Sequence, residues 1–377
     1  MIVPCLLLAS TGAHAQQLVD ATRGVVLTTS DMLAMGGAGM GFAAGASGTF
    51  FHPAAPAVRR RLQRGYLSPS MELSLFNVGF GQSLGVDGLP DEDLSARFGM
   101  TNIALATTIG PAGAGLATSG TRYRADGVEV AITEGHLAVA GSFADGHTTL
   151  GLGLRTLSVE ATGNSDLWMG EAAFEGGALE LGMHLVEPDA GWNVGGAWRA
   201  PVHATRVSGQ QPDVVSGVSL PSQMVIGASY ASRAMRRSDL ESVPVRFAAD
   251  AVWDGKLSNA VGLEGLLMGQ VVERGAEPTL SPRIGVEVEP ARNRFRFRTG
   301  SYWEPTRADA ESGRLHLTAG TQLRIVRVRI LRGWIDQHLS WTTALDAADG
   351  YLNTGFLSLG FWGEGVVGNA YQWAQPT

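Results

Sequence analysis

Period-two alternation of apolar and polar residues dominates this chain from Gly65 onward, recurring in segments of about ten residues, as in strands with one face against an apolar medium. In 178–185, Leu179, Leu181, Met183 and Leu185 share one face, and Ala178, Glu180, Gly182 and His184 the other. Along 314–325, Leu315, Leu317, Ala319, Leu323 and Ile325 alternate with Arg314, His316, Thr318, Gly320, Gln322 and Arg324. Val245, Phe247, Ala249, Ala251 and Trp253 oppose Arg246, Ala248, Asp250 and Asp254, while Phe295 and Phe297 oppose Arg294, Arg296 and Arg298. Further runs at 71–80, 98–109, 112–122, 136–143, 149–159, 192–199, 224–230, 283–289, 326–331 and 351–361 bring the count to fourteen. That leaves roughly 22 residues per strand plus connection, which suits tilted strands of about ten residues joined by alternately short and long turns. Twelve or sixteen strands satisfy the same arithmetic.

Two architectures share this pattern. In a soluble β-sandwich the apolar face points inward and the polar face meets water; in a transmembrane β-barrel the polarity is reversed. Fourteen runs exceed one sandwich, and aromatics stand at run ends (Trp192, Trp198, Tyr230, Trp253, Trp303, Trp362), where an interfacial girdle would lie. The chain is therefore read as an all-β transmembrane antiparallel β-barrel of about 14 strands, occupying residues 65–363, with a tail at 364–377. Leu357, Leu359 and Phe361 alternate as the last strand of such a barrel, although the chain runs on to Thr377.

The amino terminus sets the compartment. Residues 1–15 form an apolar stretch ending in Ala13-His14-Ala15, which fits the small-x-small rule of signal peptidase, with no Lys or Arg before it. The sole cysteine, Cys5, falls before the expected cut, which excludes disulfide frameworks, zinc–cysteine sites and cysteine nucleophiles from the mature protein. Thereafter no segment reaches the ~18 to 20 uncharged apolar residues of a spanning helix; the best stretch, 260–272, is short and carries Glu264. A net charge of -7 argues against nucleic acid as a partner. Lys256 is the single lysine, so arginine carries nearly all the positive charge.

Residues 16–64 differ in kind. Their run Met35-Gly36-Gly37-Ala38-Gly39, followed by Phe50-Phe51-His52-Pro53-Ala54-Ala55, is rich in small residues that let backbone pack on backbone. Pro53 suits the first turn of a short helix. A dinucleotide loop is not supported, because Ala44 takes the third-glycine place and no acidic residue follows about 20 positions on. These two runs resemble the opening of the FadL/TodX-like outer-membrane long-chain fatty-acid and hydrocarbon transporters. Leu220-Pro221-Ser222, Asp250 with Trp253, the run 282–287 and the run 298–306 resemble later segments of that family in the same order. The resemblance implies a fourteen-stranded barrel in the outer membrane of a Gram-negative bacterium. It implies a hatch in the lumen that includes Gly36, Gly37, Gly39, Phe50, Phe51, His52, Pro53 and Ala54, and a lateral opening in the wall. The chain departs from the family pattern at His52, where the family has Asn, and in abbreviated extracellular insertions.

Catalytic chemistry has no local signature: the eight histidines form no His-x-x-x-His pair, and there is no Gly-x-Ser-x-Gly elbow. No cofactor or metal is expected, and His184 and His316, on lumen faces, are either polar lining of a wet barrel or acid–base groups. Arginines on the polar phases (Arg155, Arg199, Arg246, Arg283, Arg294, Arg296, Arg298, Arg324) come with Glu180, Asp250, Glu287, Glu289 and Glu304. Facing lipid, each charge would cost about 2 to 4 kcal/mol at mid-depth, so they point inward. There they either brace the barrel as an ion-pair lattice or, at Arg246, Asp250, Arg294, Arg296, Arg298 and His316, meet the head of an amphipathic ligand. Arg59, Arg60, Arg61 and Arg64 fit a solvated periplasmic rim. The sequence thus predicts an outer-membrane channel for diffusion of hydrophobic or amphipathic small molecules such as long-chain fatty acids, seated in outer-membrane lipid. The alternative is a non-transporting structural or secretion-assembly barrel that binds periplasmic or outer-membrane proteins; a lipid-modifying enzyme is a more distant one.

Overall fold

The computed structural model describes residues 17–58, 67–77, 99–125, 128–164, 169–187, 191–209, 215–232, 244–263, 271–291, 294–308, 313–330, 335–349 and 351–361. The expected leader with Cys5, Arg59, Arg60, Arg61, Arg64, Trp362 and the tail at 364–377 lie outside these residues. The chain opens with β1 (Gln17–Asp20) and two single-turn helices, α1 (Ser30–Leu33) and α2 (Gly45–Thr49). Then come β2 (Leu67–Asn77), β3 (Gly99–Ile109), β4 (Ala112–Ala125), β5 (Val128–Phe143), β6 (Thr148–Asn164), β7 (Met169–Glu187) and β8 (Trp192–Arg199). They are followed by β9 (Val202–Gly209), β10 (Val215–Leu220), β11 (Gln223–Ala231), β12 (Val245–Asp254), β13 (Ala260–Gly262) and β14 (Glu273–Arg274). The chain finishes with β15 (Thr279–Ala291), β16 (Phe295–Glu304), β17 (Arg314–Ile330), β18 (Ile335–Ala348) and β19 (Tyr351–Phe361).

Fourteen of these strands, β2 to β8, β11, β12 and β15 to β19, pair antiparallel in that order, and β19 pairs back onto β2. Closure removes every sheet edge, the condition for strands to cross lipid. Connections at one rim are long (78–98, 200–222, 255–278), and several at the other are short (110–111, 144–147, 188–191). By the usual asymmetry the long-connection rim faces outward and the short-turn rim the periplasm. At the outer rim β9, β10, β1, β13 and β14 form a small sheet, in which β1 runs parallel to both β10 and β13.

The run count of fourteen equals the strand count, but the assignments differ in two places. Runs 314–325 and 326–331 are one strand, β17, whose register shifts between Arg324 and Val326. That bulge places Ile325 and Val326 both outside, so the alternation changes phase without the strand ending. Strand β18 escaped notice because its outward positions include Thr343 and Ala347 and its inward ones Ala344, which flattens the contrast.

The wall is inside out at membrane level. On β7, Leu179 and Leu181 are 58% and 49% exposed while Glu180 and His184 between and beyond them are 1% and 2% exposed. Toward the outer rim the same strands reverse. Outward positions become Thr133, Thr156, Ser158, Glu160 and Glu175, while Val128, Val130, Ile132, Leu157, Val159 and Phe174 turn inward and are buried with Val202, Val218 and Leu220. The reversal falls near Gly135, Thr156 and Gly177, which are cross-strand partners at one height. Below it the wall faces hydrocarbon; above it the strands enclose an ordinary water-facing core. Trp198 and Trp253 face outward beside the last residues of β8 and β12, both opposite Met224, and Trp192 packs on Tyr230 near the periplasmic rim with ring centroids 4.8 Å apart.

Leu181→Arg, an outward change at mid-membrane, is expected to cost about 2 to 4 kcal/mol of folding free energy in lipid vesicles. Ser158→Arg, on the outward face above the reversal, is expected to cost about 0 to 1 kcal/mol. Equal costs in a denaturant titration would place the reversal elsewhere.

Candidate functional site: the filled lumen

Residues 21–58 run inside the barrel as turns and single-turn helices, whose local hydrogen bonds leave part of their backbone groups unpaired. In a dry interior those groups must find partners elsewhere, and the polar inward face of the wall supplies them. Asp250 Oδ2 accepts from the backbone N–H of Gly39 at 2.8 Å and of Met40 at 2.9 Å. Arg199 Nη2 donates to the carbonyls of Phe50 (3.0 Å) and Phe51 (2.6 Å). His184 Nε2 meets the carbonyl of Gly41 at 2.9 Å, and the Ser229 hydroxyl donates to the same oxygen at 3.0 Å. Asn102, Thr108 and Thr318 donate to the carbonyls of Thr28, Pro56 and Ala34, and Ser30 hydrogen-bonds Ser358 on β19. The contacts come from every side of the barrel.

Glycines make the approach close. Gly36 and Gly37 have φ of +65° and +70°, a turn that L side chains resist, and a Cβ on Gly36 would stand 2.7 Å from the backbone nitrogen of Ser301. On the wall, a Cβ on Gly182 would stand 2.7 Å from the His52 ring. Gly39 donates to Asp250 as described. Phe50 and Phe51 are buried beside Arg199, and Pro53 and Ala54 pack against Gly151 of β6. His52 Nδ1 accepts from the N–H of Ala54 (3.1 Å), leaving Nε2–H to donate to the Met183 carbonyl (3.0 Å). This neutral tautomer makes the short-range turn bond that an Asn side chain can also make, and the longer ring adds a bond to the wall. Burial, reinforced by the neighbouring His184, pushes the His52 pKa down to about 3.

The six lumen residues predicted to meet ligand do not converge. Arg246 pairs with Glu287 (3.2 Å) and lies over the Phe42 ring at 4.7 Å. Arg298 bonds Glu287 (2.7 Å) and Gln322 (2.8 Å), and Arg296 bonds Glu289 (3.4 Å) and the same Gln322 (3.3 Å). These side chains engage one another in a lattice of ion pairs and hydrogen bonds. Arg294 is exposed beside the β15–β16 turn, outside the lumen, because the strand begins one residue later. Asp250 is occupied by the amino-terminal segment. His316 is fully buried near the outer rim, between Asp346 and Glu304 at 2.8 Å each, and stacked on Tyr302 at 4.2 Å.

A cavity of about 120 Å³ lies elsewhere, between residues 22–27 and the outer half of the wall. Phe50, Phe51, Leu220 and Pro221 contribute its apolar part, and Arg23, Glu134, His136, Arg155, Arg199 and Arg283 most of its charge. Arg155, Arg199 and Arg283 were legible as inward phases of strands. Arg23 was not, since it sits in an irregular segment where periodicity carries no signal. Near it Asp20, wholly buried, ties β1 to the outer rim through Arg307 at 2.8 Å and Arg274 at 3.8 Å.

No protein-family profile and no curated protein matches the sequence. Among solved structures, the chain is similar to the Ralstonia pickettii toluene transporter TbuX, at 12% identity and a TM-score of 0.55, over 90% of this chain and 99% of that one. It is also similar to the P. putida toluene transporter TodX, at 11% identity and a TM-score of 0.56, over 90% of this chain and 100% of that one. The shared feature is the fold, a closed fourteen-stranded antiparallel β-barrel.

His52 is neutral in the folded protein and has its ordinary pKa when unfolded, so its contribution is present above pH ~6.5 and is lost as pH falls toward 3. Denaturant titrations between pH 7 and 4 should show the native chain losing stability relative to His52→Asn. At pH 7, His52→Ala should cost about 1 to 3 kcal/mol by stranding buried partners. A parallel pH dependence in the two proteins would mean that His52 is charged or solvated.

Proposed function

We propose that this chain is an outer-membrane channel through which hydrophobic small molecules diffuse, with residues 16–64 as a hatch that gates the lumen. The observation that carries the reading is the way the lumen is filled. An irregular segment occupies it through single side-chain hydrogen bonds from the wall, and a cavity remains between segment and wall. Each such bond contributes only about 0.5 to 1.5 kcal/mol, or up to about 3 where a charge takes part. Local release of the segment therefore costs far less than opening the barrel, whose strands are tied by continuous ladders. The fold is that of TbuX and TodX, which are toluene transporters. Apolar burial, at about 25 cal/mol per Å², would hold a hydrophobic molecule beside Phe50, Phe51 and Leu220 without covalent chemistry. The cavity, at about 120 Å³, admits nothing larger than a monoaromatic ring; long-chain fatty acids, the other class in view, require the segment to move further.

A reversible lock tests the gate. Ser30 and Ser358 hydroxyls touch across the segment–wall boundary, which places a Ser30→Cys/Ser358→Cys pair within disulfide reach. In proteoliposomes the oxidised double variant is expected to pass toluene at least fivefold more slowly than the reduced one, with full recovery on reduction. Equal fluxes in the two redox states would show that residues 16–64 do not gate.

A further inference from the structure

The cavity beside residues 22–27 has one feature that a purely hydrophobic channel does not need. All three guanidinium nitrogens of Arg23 are buried there, and none has a hydrogen-bond partner among the described residues. The side chain's own contact is with the face of Tyr123, 5.6 Å from the ring centroid. The hydroxyls of Thr22 and Ser119 line the same cavity and are also without partners among the described residues. The acids nearby are engaged: Glu134 with Arg155 at 3.1 Å, Glu180 with Arg199 at 3.2 Å, Asp254 with Gln223 at 2.7 Å, and Asp20 with Arg307. Arg23 attracts Glu134 through space without a hydrogen bond to it.

A desolvated guanidinium without acceptors is costly, so the site is complementary to a group that brings acceptor oxygens. Guanidinium matches a carboxylate with two parallel N–H···O bonds. The rest of the wall sets the body of the occupant. Val26, Phe50, Phe51, Leu220 and Pro221 are apolar, and an apolar cavity of about 150 Å³ is known to take one benzene ring. At about 120 Å³ the space is smaller than that, which limits an occupant to a single ring or a chain of similar bulk, with its head group among the polar side chains.

We infer that the cavity is a binding site for a small organic carboxylate of about the size of benzoate, with Arg23 of the amino-terminal segment as the residue that grips its head. This rests on the channel reading above and narrows it, since it names an ionised, compact substrate rather than a neutral hydrocarbon or a long-chain acid. The acid bridges the segment to the wall, its head on Arg23 and its body against Phe50, Phe51 and Leu220. Arg23 lies three residues from Asp20, where the segment is fastened to the outer rim, so the occupant meets the chain beside that anchor.

Titration calorimetry on the full chain, folded in detergent at pH 7.5, compares benzoate with its neutral amide, benzamide. The wild type is expected to bind benzoate at least tenfold more tightly than benzamide. Arg23→Gln is expected to bring benzoate down to the benzamide level, and Arg23→Lys to fall between, each variant keeping the heat-dependent gel shift of a folded barrel. No preference for benzoate in the wild type, which needs no variant to measure, would overturn the inference and leave ordered water as the partner of Arg23. A preference that survives in Arg23→Gln would also overturn it. Toluene flux through wild-type proteoliposomes separates the two readings. Flux without benzoate preference sinks the carboxylate site alone, whereas Arg23-dependent benzoate binding without flux supports the site and sinks the channel.

Discussion

A stretch of turns and single-turn helices enclosed in a closed barrel has no neighbouring strand to pair with the N–H and C=O groups that its own turns leave free. Much of the rest of this structure answers that constraint. Asp250, Arg199, His184, Ser229, Asn102, Thr108 and Thr318 are all inward residues of wall strands, and all spend hydrogen bonds on the backbone of residues 28–56. Their polarity would be destabilising in the core of a soluble sandwich without partners. Here it is complementary to a segment that brings polar backbone into the centre. The same demand explains the glycines, because side-chain-to-backbone bonds of 2.6 to 3.0 Å form only where segment and wall approach closely.

Two populations of buried charge follow from this arrangement. Arg246, Arg296 and Arg298 with Glu287, Glu289 and Gln322 form a closed set on β12, β15, β16 and β17 near the periplasmic rim. Removing one member would strand the others, which costs more than the net worth of any pair, so such a set braces the wall. Arg23 belongs to no such set. A cation left out of a lattice in which its neighbours are paired is a better indicator of ligand chemistry than a cluster of cations on one strand.

Much of the barrel was legible in the sequence because lipid on one side and polar segment on the other give strong alternation, as at 178–185 and 245–254. Legibility failed where that contrast weakens or turns over. Residues 128–135 of β5 and 169–177 of β7 still alternate, but above the membrane their apolar positions are the inward ones, so they did not join the runs below them. The bulge at Arg324 split β17 for the same reason in miniature. At the site, Gly36, Gly37 and the run 50–54 stood out through composition and resemblance. Arg294 misled, because a run of alternate arginines looks uniform although its first member lies beyond the strand. Arg23 gave no signal, since its environment is set largely by wall strands distant in sequence.

The height of the cavity is itself informative. Arg155 and His136, which line it, are cross-strand partners one step below the level at which the wall changes from lipid-facing to water-facing. Arg199 and Asp254, which also line it, are the last residues of β8 and β12 at their outer-rim ends. The cavity therefore sits where hydrocarbon gives way to head groups outside the wall. An amphiphile meets the same gradient inside, with apolar residues of the segment and wall on one side and guanidinium groups on the other. A molecule with one charged end and one greasy end is stabilised at that boundary in either place, so moving between the cavity and the outer leaflet costs it less than crossing the polar lattice toward the periplasm. On this geometry the lower half of the lumen, where Asp250 and His184 hold the segment in place, is the barrier to passage.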